Sequence, residues 1–510
     1  MAGRGFVAAA TIAALAGVSA CAKTPLQAPT LQEARDHPFP EEQLRRDIRG
    51  LVTDPSLNHA QFAVAVVSLK TGELLYSLNS FRLLMPASNQ KLVTTAVAAS
   101  TLGWDFRYTT RLFATGPVAA DGTMQGDLIV VGDGDPTINP RHPLRWAAFD
   151  DWAGQLAAKG ISRIAGRVIG DDNAFAEPGL GLGWVWDDLA YGYGSPVGAL
   201  QYNENEVAVL VSPGPQAGAR AEIDLSPPGS GLSIDADVAT VAAGEPTRLS
   251  LERSPDSRLL HVRGQIATGA KPTTESAGVP NPTQMYVDVL RAALVRHGIA
   301  VSGPAVDIDD LAAPPQISGS ALLLEDRSPL LSEIIGTTLK WSRNGYAETL
   351  LWTLAPARPA TAEAGLQVVR DTLTRWGIAP DDYLARDGSG LSRYDWITAD
   401  TLTWLLSYIH LDPALSEPFK LTLPVAGGAG SLENRLKGTP AQGRVLAKTG
   451  SMSQVRALSG YLTTLDGEPV AFSFIVNGFR VPTRQIDEVF DKVLVKLVEF
   501  THARVDTPRS

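Results

Sequence analysis

The sequence predicts an α+β chain of several domains, in which one α/β domain is split by a long β-rich insertion. Three observations predict it. At 510 residues the chain exceeds what a single ordinary core supports. Both ends carry apolar residues at helical spacing, interleaved with a few apolar β-type runs. Between about 105 and 320 the texture changes to short β segments punctuated by Gly, Pro and Asp.

In chain order, "EEQLRRDIRGLV" places Leu44, Ile48 and Leu51 on one helical face. "AQFAVAVVSL" and "ELLYSLN" are β-rich runs joined by Lys70-Thr71-Gly72, which reads as a tight hairpin turn. A helix opens at Pro86-Ala87-Ser88 and stops near Gly103. In the middle region "RYTTRLFAT", "GDLIVVGDGDPTI", "RIAGRVIGDD", "EVAVLVSPG", "AEIDLSPPG" and "RLLHVRGQIA" read as strands. Two helical patterns interrupt them, "WAAFDDWAGQLAAKG" and "PTQMYVDVLRAALVRHG". Asp133 and Asp135 read as a turn after a strand in preference to a cation site. From about 325 helices return in "LLSEIIGTTLKW", "YAETLLWTLA", "AEAGLQVVRDTLTRWG" and "ADTLTWLLSYIH". Two apolar strands and the closing helix "DEVFDKVLVKLVEF" follow.

The first residues combine Arg4 with an apolar stretch, Phe6 to Val18, too short to span a membrane comfortably. The sole cysteine, Cys21, follows Val18-Ser19-Ala20, an order that resembles a bacterial lipobox. Residues 1–20 are therefore expected to be a signal peptide, with Cys21 lipidated and 21–38 a tether; plain cleavage after Ala20 is the alternative. Ala22 after the cysteine favours outer-membrane sorting by resemblance to lipoproteins in general. Either route exports the protein to the periplasm. With one cysteine no disulfide within the chain can form, and the fold must rest on its core. The net charge of −10 argues against nucleic acid as a partner, because phosphates need a basic face.

Three short motifs carry chemistry. Ser88 and Lys91 are three apart, hence on one face of a helix. A hydroxyl is a poor nucleophile until a base takes its proton, and a lysine is a base only when burial or a nearby cation lowers its pKa. The competing reading is a helix cap at Ser88 beside a solvated lysine. Of the eleven lysines only Lys91 has a serine three before it. The second motif is Ser342-Arg343-Asn344, a hydroxyl and an amide two apart in a loop between helices. The third is Lys448-Thr449-Gly450 at a strand end, where the glycine lets a substrate backbone approach and the cation suits a carboxylate. The same three letters at Lys70 sit in a hairpin turn and are read as structural.

Taken singly the motifs are weak; their order is informative. Ser-x-x-Lys, a Ser-x-Asn triplet and Lys-Thr-Gly occur together, in that order, in β-lactamases and penicillin-binding proteins. With "DGSGLSR" at 387–393, "LPVAGGAGSLENRLKGTPAQGRVLAKTG" at 423–450 and "GDGDPT" at 132–137, the chain resembles the D-alanyl-D-alanine carboxypeptidase/endopeptidase family, the low-molecular-mass class C penicillin-binding proteins. The resemblance covers nearly everything after residue 40. Arg343 stands where Asp, Asn or Gly is usual, and Asp133 where Gly is common.

The resemblance implies a β-lactamase/transpeptidase-like serine-hydrolase domain, an antiparallel sheet with flanking helices, interrupted by two inserted β-rich domains. The expected limits are 39–104 with 321–510 for the peptidase domain, 105–204 with 281–320 for inserted domain II, and 205–280 for inserted domain III. It also implies that Ser88 attacks the carbonyl of a D-Ala-D-Ala or cross-link bond while Lys91 accepts its proton. Backbone N–H groups of Ser88 and Ser451 would form the oxyanion hole. Ser342 would relay a proton, Asn344 would hold the substrate amide, and Lys448, Thr449 and Gly450 would receive the terminal carboxylate. In "GWVWDDLAYGYGSP" Asp188 matches an acidic residue that meets the amine of a diaminopimelate side chain, with Trp186 and Tyr191 as walls; a packed aromatic loop is the alternative. Arg393 would meet a distal carboxylate or serve the structure alone. The implied partners are peptidoglycan stem peptides and β-lactams as inhibitors, with the membrane reached only through the lipid. No cofactor or metal is implied, and no HExxH or Cys/His cluster is present. A β-lactamase or esterase on the same scaffold, and a non-catalytic wall-binding lipoprotein, remain the competing readings.

Overall fold

The computed structural model describes residues 40–502 other than positions 144 and 256. The expected signal peptide, the tether and Cys21 lie outside the described residues. The chain starts in helix α1 (Pro40–Val52), whose Leu44, Ile48 and Val52 are buried. It then forms strands β1 (Gln61–Ser68) and β2 (Leu74–Leu78). Far along the chain come β3 (Val445–Met452), β4 (Val455–Thr463) and β5 (Pro469–Asn477). These five make one antiparallel sheet in the order β3-β4-β5-β1-β2.

The sheet's period of two explains its place between two helical layers. In β5, Val470, Phe472, Phe474 and Val476 face a core shared with α1 and the final helix, whose Ile486, Phe490 and Leu494 are buried there. Ala471 and Ile475 face the opposite core with Leu92, Val93, Ile334, Ile335, Leu402 and Leu405. Both faces are covered, so β5 reads in sequence as an apolar run broken only by Ser473. Lys70 is exposed in the β1–β2 turn, where Gly72 has φ +76°.

Helix α2 (Gln90–Leu102) leads out of this domain, and α3 (Leu331–Lys340) leads back in. The excursion begins and ends side by side: Ser328 N–H donates to the Tyr108 carbonyl at 3.0 Å, and Leu331 N–H to the Phe106 carbonyl at 2.9 Å. Tyr108, fully buried, ties this neck to the helical layer through a 2.8 Å bond between its hydroxyl and that of Thr353. Among the described residues the insertion holds two large cores and a small one around Ile129, Ile169 and Ile308. One large core lies between a mixed five-stranded sheet and the helices Ala148–Ala158 and Pro282–Arg296. The other large core lies between two three-stranded sheets built from residues 206–278. The expected boundary at 320/321 shifts, because Ala321–Arg327 pairs with Thr109–Ala114 and belongs to the inserted sheet. The inserted strands Ser233–Val241, Arg248–Glu252 and Thr273–Gly278 escape the sequence reading because few of their residues are buried, which leaves no clear apolar run. Asp133 accepts from Thr109 N–H at 2.8 Å, and Asp135 from Thr137 N–H at 2.9 Å, so these carboxylates tie turns together.

Candidate active site

Helix α4 (Asn344–Thr353) follows α3 after a single loop, and α2 packs against both. The three motifs converge where these helices meet the edge strand β3. Ser88 is half-buried in a short 3₁₀ turn, Ala87–Asn89, ahead of α2. It is not the helix cap: the capping position is Asn89, and no side chain caps that end. Its hydroxyl instead lies 3.0 Å from Lys91 Nζ. Two non-glycine residues beside reacting groups have left-handed φ, Ala87 at +46° and Ser342 at +59°. Backbone strain of this kind costs roughly 1–3 kcal/mol each and is held by the surroundings. At Ala87 the surroundings include Gly390, where an added Cβ would stand 1.9 Å from the Ala87 carbonyl oxygen.

Lys91 is fully buried. Its Nζ also donates to Asn344 Oδ1 at 2.6 Å and to the Ser389 carbonyl at 2.8 Å. The Asn344 orientation is fixed by its other end, which donates from Nδ2 to the Tyr193 carbonyl at 2.9 Å. Both Asn344 Oδ1 and the Ser389 carbonyl can only accept. A neutral amine has two N–H bonds and one lone pair. With both N–H bonds used on these oxygens, the lone pair is left facing the Ser88 hydroxyl. Burial lowers the Lys91 pKa to about 8, against the pull of Asp387, Glu348 and Asp395. Arg343 does not join this balance: it points to Glu204 of the insertion, Nη1 to Oε2 at 3.5 Å.

Lys448 is fully buried as well and donates to Ser342 Oγ at 2.8 Å and to the Thr449 carbonyl at 2.6 Å. Burial, then the neighbouring Lys91 charge, hold its pKa well below the usual lysine value. Thr449 donates its hydroxyl proton to Ser431 Oγ at 2.9 Å, a partner that no motif marked. Gly450 is required by contact, since a Cβ there would stand 2.6 Å from the Pro86 carbonyl oxygen. Asn89 Nδ2 donates to the Lys448 carbonyl at 3.0 Å, tying the serine turn to β3.

Ser88, Asn344 and Ser451 open into one cavity of about 460 Å³, together with Asp188, Tyr193, Gly390, Leu391, Arg393, Met452 and Ser453. Asp188 and Arg393 therefore share the cavity, their nearest N···O distance being 4.0 Å. The expected walls are corrected. Trp186 is 62% exposed, and Tyr191 stacks behind Tyr193 at 5.5 Å with its hydroxyl accepting from Leu251 N–H. Tyr193 forms the wall instead, donating to Asp188 Oδ1 at 2.9 Å. In "AYGYG" the two tyrosines are alternatives, and only the inserted domain's packing decides which one turns inward. Among sequence readings, the carboxylate group Glu348, Asp387 and Asp395 beneath Lys91 was also missed; two of the three lie in "DGSGLSRYD".

The chain is similar to known proteins in sequence and in fold. The family model "D-Ala-D-Ala carboxypeptidase 3 (S13)" matches residues 44–496. A D-alanyl-D-alanine carboxypeptidase of Actinomadura sp. is 34% identical over 471 residues, covering 90% of this chain and 85% of that protein. The carboxypeptidase DacB of Haemophilus influenzae is 27% identical, covering 81% and 84%. The crystal structure of penicillin-binding protein 4 from H. influenzae superposes with a TM-score of 0.77 at 25% identity, covering 89% of this chain and 99% of that one. The same protein complexed with a β-lactam gives 0.70 at 25% identity, covering 90% and 98%. The chain belongs to the D-Ala-D-Ala carboxypeptidase 3 (S13) family.

Proposed function

We propose that this protein is a serine DD-peptidase of peptidoglycan, cleaving the terminal D-Ala-D-Ala bond or D-amino-acid cross-links through an acyl-enzyme, and that β-lactams acylate the same serine. The observation that carries the reading is the 3.0 Å Ser88–Lys91 pair, whose lysine has no acceptor role left except toward the serine hydroxyl. Ser88 loses its proton to Lys91 as it attacks, and the backbone N–H groups of Ser88 and Ser451 receive the developing oxyanion. Ser342, hydrogen-bonded to Lys448, passes a proton to the departing amine. Lys448 and Thr449 hold the terminal carboxylate, with Gly450 leaving room for the substrate backbone. Asn344 joins the base to the insertion and offers its amide to the substrate. Water then releases the acyl group.

The test is covalent labelling by fluorescent penicillin, with D-Ala release from a pentapeptide that contains a diamino acid. Wild type labels and releases D-Ala, whereas Ser88→Ala does neither. Absence of any Ser88-dependent label would overturn the reading. The acylation rate should rise with pH up to about 8 and level off above it, since only the neutral Lys91 can take the proton.

The far end of the cavity supports a side-chain subsite. Among the described residues Asp188 Oδ2 is buried without a hydrogen-bond partner, with Arg393 at 4.0 Å, which suits the ammonium of a diamino-acid side chain, and Arg393 stands by for its carboxylate. Asp188→Asn is expected to raise KM about tenfold for the amine-bearing peptide, with little change in kcat or in penicillin acylation. Equal KM values in both proteins would remove Asp188 from recognition. We further propose export to the periplasm and lipidation at Cys21, with the outer membrane favoured. Mass spectrometry of the mature N-terminus checks this, and an unmodified N-terminus at any residue would exclude the anchor.

A further inference from the structure

The turn Asp387–Arg393 reaches the base, the serine turn and the insertion at once. Asp387 is buried, and its carboxylate gathers several donors. Gly390 N–H donates to Oδ1 at 2.7 Å, and Ser392 N–H donates to Oδ2 at 2.7 Å. The Trp184 indole donates from Nε1 to Oδ2 at 2.8 Å, and the Ser389 hydroxyl donates to the same oxygen at 3.4 Å. Glu348 of α4 holds the same turn by accepting from Ser389 N–H at 2.7 Å. So fixed, the turn aims two carbonyls at α2: that of Ser389 at Lys91 Nζ, and that of Gly388 at the Thr94 hydroxyl, 2.7 Å away. The other side of the turn is stitched to the insertion, through Ser392 Oγ to the Leu182 carbonyl at 2.7 Å and Arg393 N–H to the Gly183 carbonyl at 3.1 Å. Trp184 does not line the cavity.

We infer that Asp387 is a positioning residue for the base and Trp184 its partner, so that the insertion tunes the proton affinity of Lys91 through the indole–carboxylate bond. The inference rests on the proposed roles of Ser88 and Lys91. Ammonium Lys91 has three acceptors, and the Ser389 carbonyl is one of them. If the turn slackens, the ammonium form loses that acceptor and the lysine gives up its proton at lower pH. The neutral form loses alignment too, so the plateau rate drops. The charged groups facing Lys91 are Asp387 and Asp395 from this turn's segment and Glu348 from α4, with Lys448 coupled to it from β3. Burial and Asp387 both raise the proton affinity of Glu348 and Asp395. Asp387 is the foremost charge raising the proton affinity of Lys91, so removing it shifts Lys91 in the same direction as slackening the turn, partly opposed by the easier ionisation of Glu348 and Asp395.

The experiment measures the rate of Ser88 acylation by fluorescent penicillin against pH, in the full chain, for wild type, Trp184→Phe and Asp387→Asn. Trp184→Phe keeps the ring and removes the donor. It is expected to move the rising limb about half a pH unit lower and to cut the plateau about tenfold, with Asp387→Asn moving the limb further, by about one unit. Trp184→Phe decides the matter even if Asp387→Asn fails to fold, because the indole sits in a half-buried loop. A Trp184→Phe limb that coincides with wild type overturns the inference, whatever happens to its plateau, since a merely structural bond would change the rate without the limb. A wild-type chain that never labels at Ser88 removes the functional reading and this inference with it; a labelled wild type with unmoved limbs removes the inference alone.

Discussion

Lys91→Met is expected to lower penicillin acylation of Ser88 by about 10³-fold or more while leaving the folded protein at least as stable. The first half follows from geometry: no other group is recorded within hydrogen-bond reach of the Ser88 hydroxyl among the described residues. The second half follows from electrostatics. A fully buried lysine forfeits hydration, and its pKa falls to about 8 because the charged form is disfavoured there. Methionine has nearly the same length and carries no such penalty. The carboxylates beneath it do not become stranded charges, because burial already raises Glu348 and Asp395 towards their protonated forms and Asp387 keeps its donors from Gly390, Ser392 and Trp184. Thermal denaturation and labelling of the same preparation check both halves. A variant that still labels at the wild-type rate would show that another base serves Ser88.

Gly390→Ala is expected to destabilise the protein by about 3 kcal/mol and to slow acylation by about 10²-fold, through one added methyl group. Two costs coincide at this position. The backbone has φ +82°, which an alanine adopts with strain. The methyl would also meet the Ala87 carbonyl oxygen at 1.9 Å and Gln90 Cβ at 3.0 Å, so the serine turn itself must move. Ala87 is already in a left-handed conformation, and its displacement carries Ser88 away from Lys91. Gly427→Ala is the control. Its φ is +75°, but an added Cβ meets only the flexible Gln442 side chain, at 3.1 Å at the nearest. Similar acylation losses in both variants would locate the effect in stability and not in the position of Ser88.

Much of this was legible in the sequence because alternation and order are local properties. Strand β5 showed itself as an apolar run interrupted only by Ser473, since both its faces are covered, and α1 showed itself through Leu44 and Ile48 on one side. The two Lys-Thr-Gly segments could be told apart by what flanks them, and the structure places Lys70 in water and Lys448 in the core. What the sequence hid are contacts made across hundreds of residues. Tyr193 and Tyr191 are equivalent as letters, and only packing against Leu251 assigns one of them outward from the cavity. Arg343 follows Ser342 directly, yet its partner Glu204 lies in the insertion, at a distance in sequence no local pattern encodes. The same holds for Trp184 and Asp387.

Lys448 has a consequence of its own. A buried lysine whose grip on its proton is loosened regains proton affinity when a carboxylate arrives beside it. Burial and the Lys91 charge depress its proton affinity, and an arriving carboxylate reverses that depression. Binding should then consume protons from the buffer, so that the measured heat depends on the buffer's ionisation enthalpy and affinity weakens as pH climbs. Ligands with no carboxylate to offer would show neither effect. The pocket thus couples recognition of the terminal group to the protonation of Lys448.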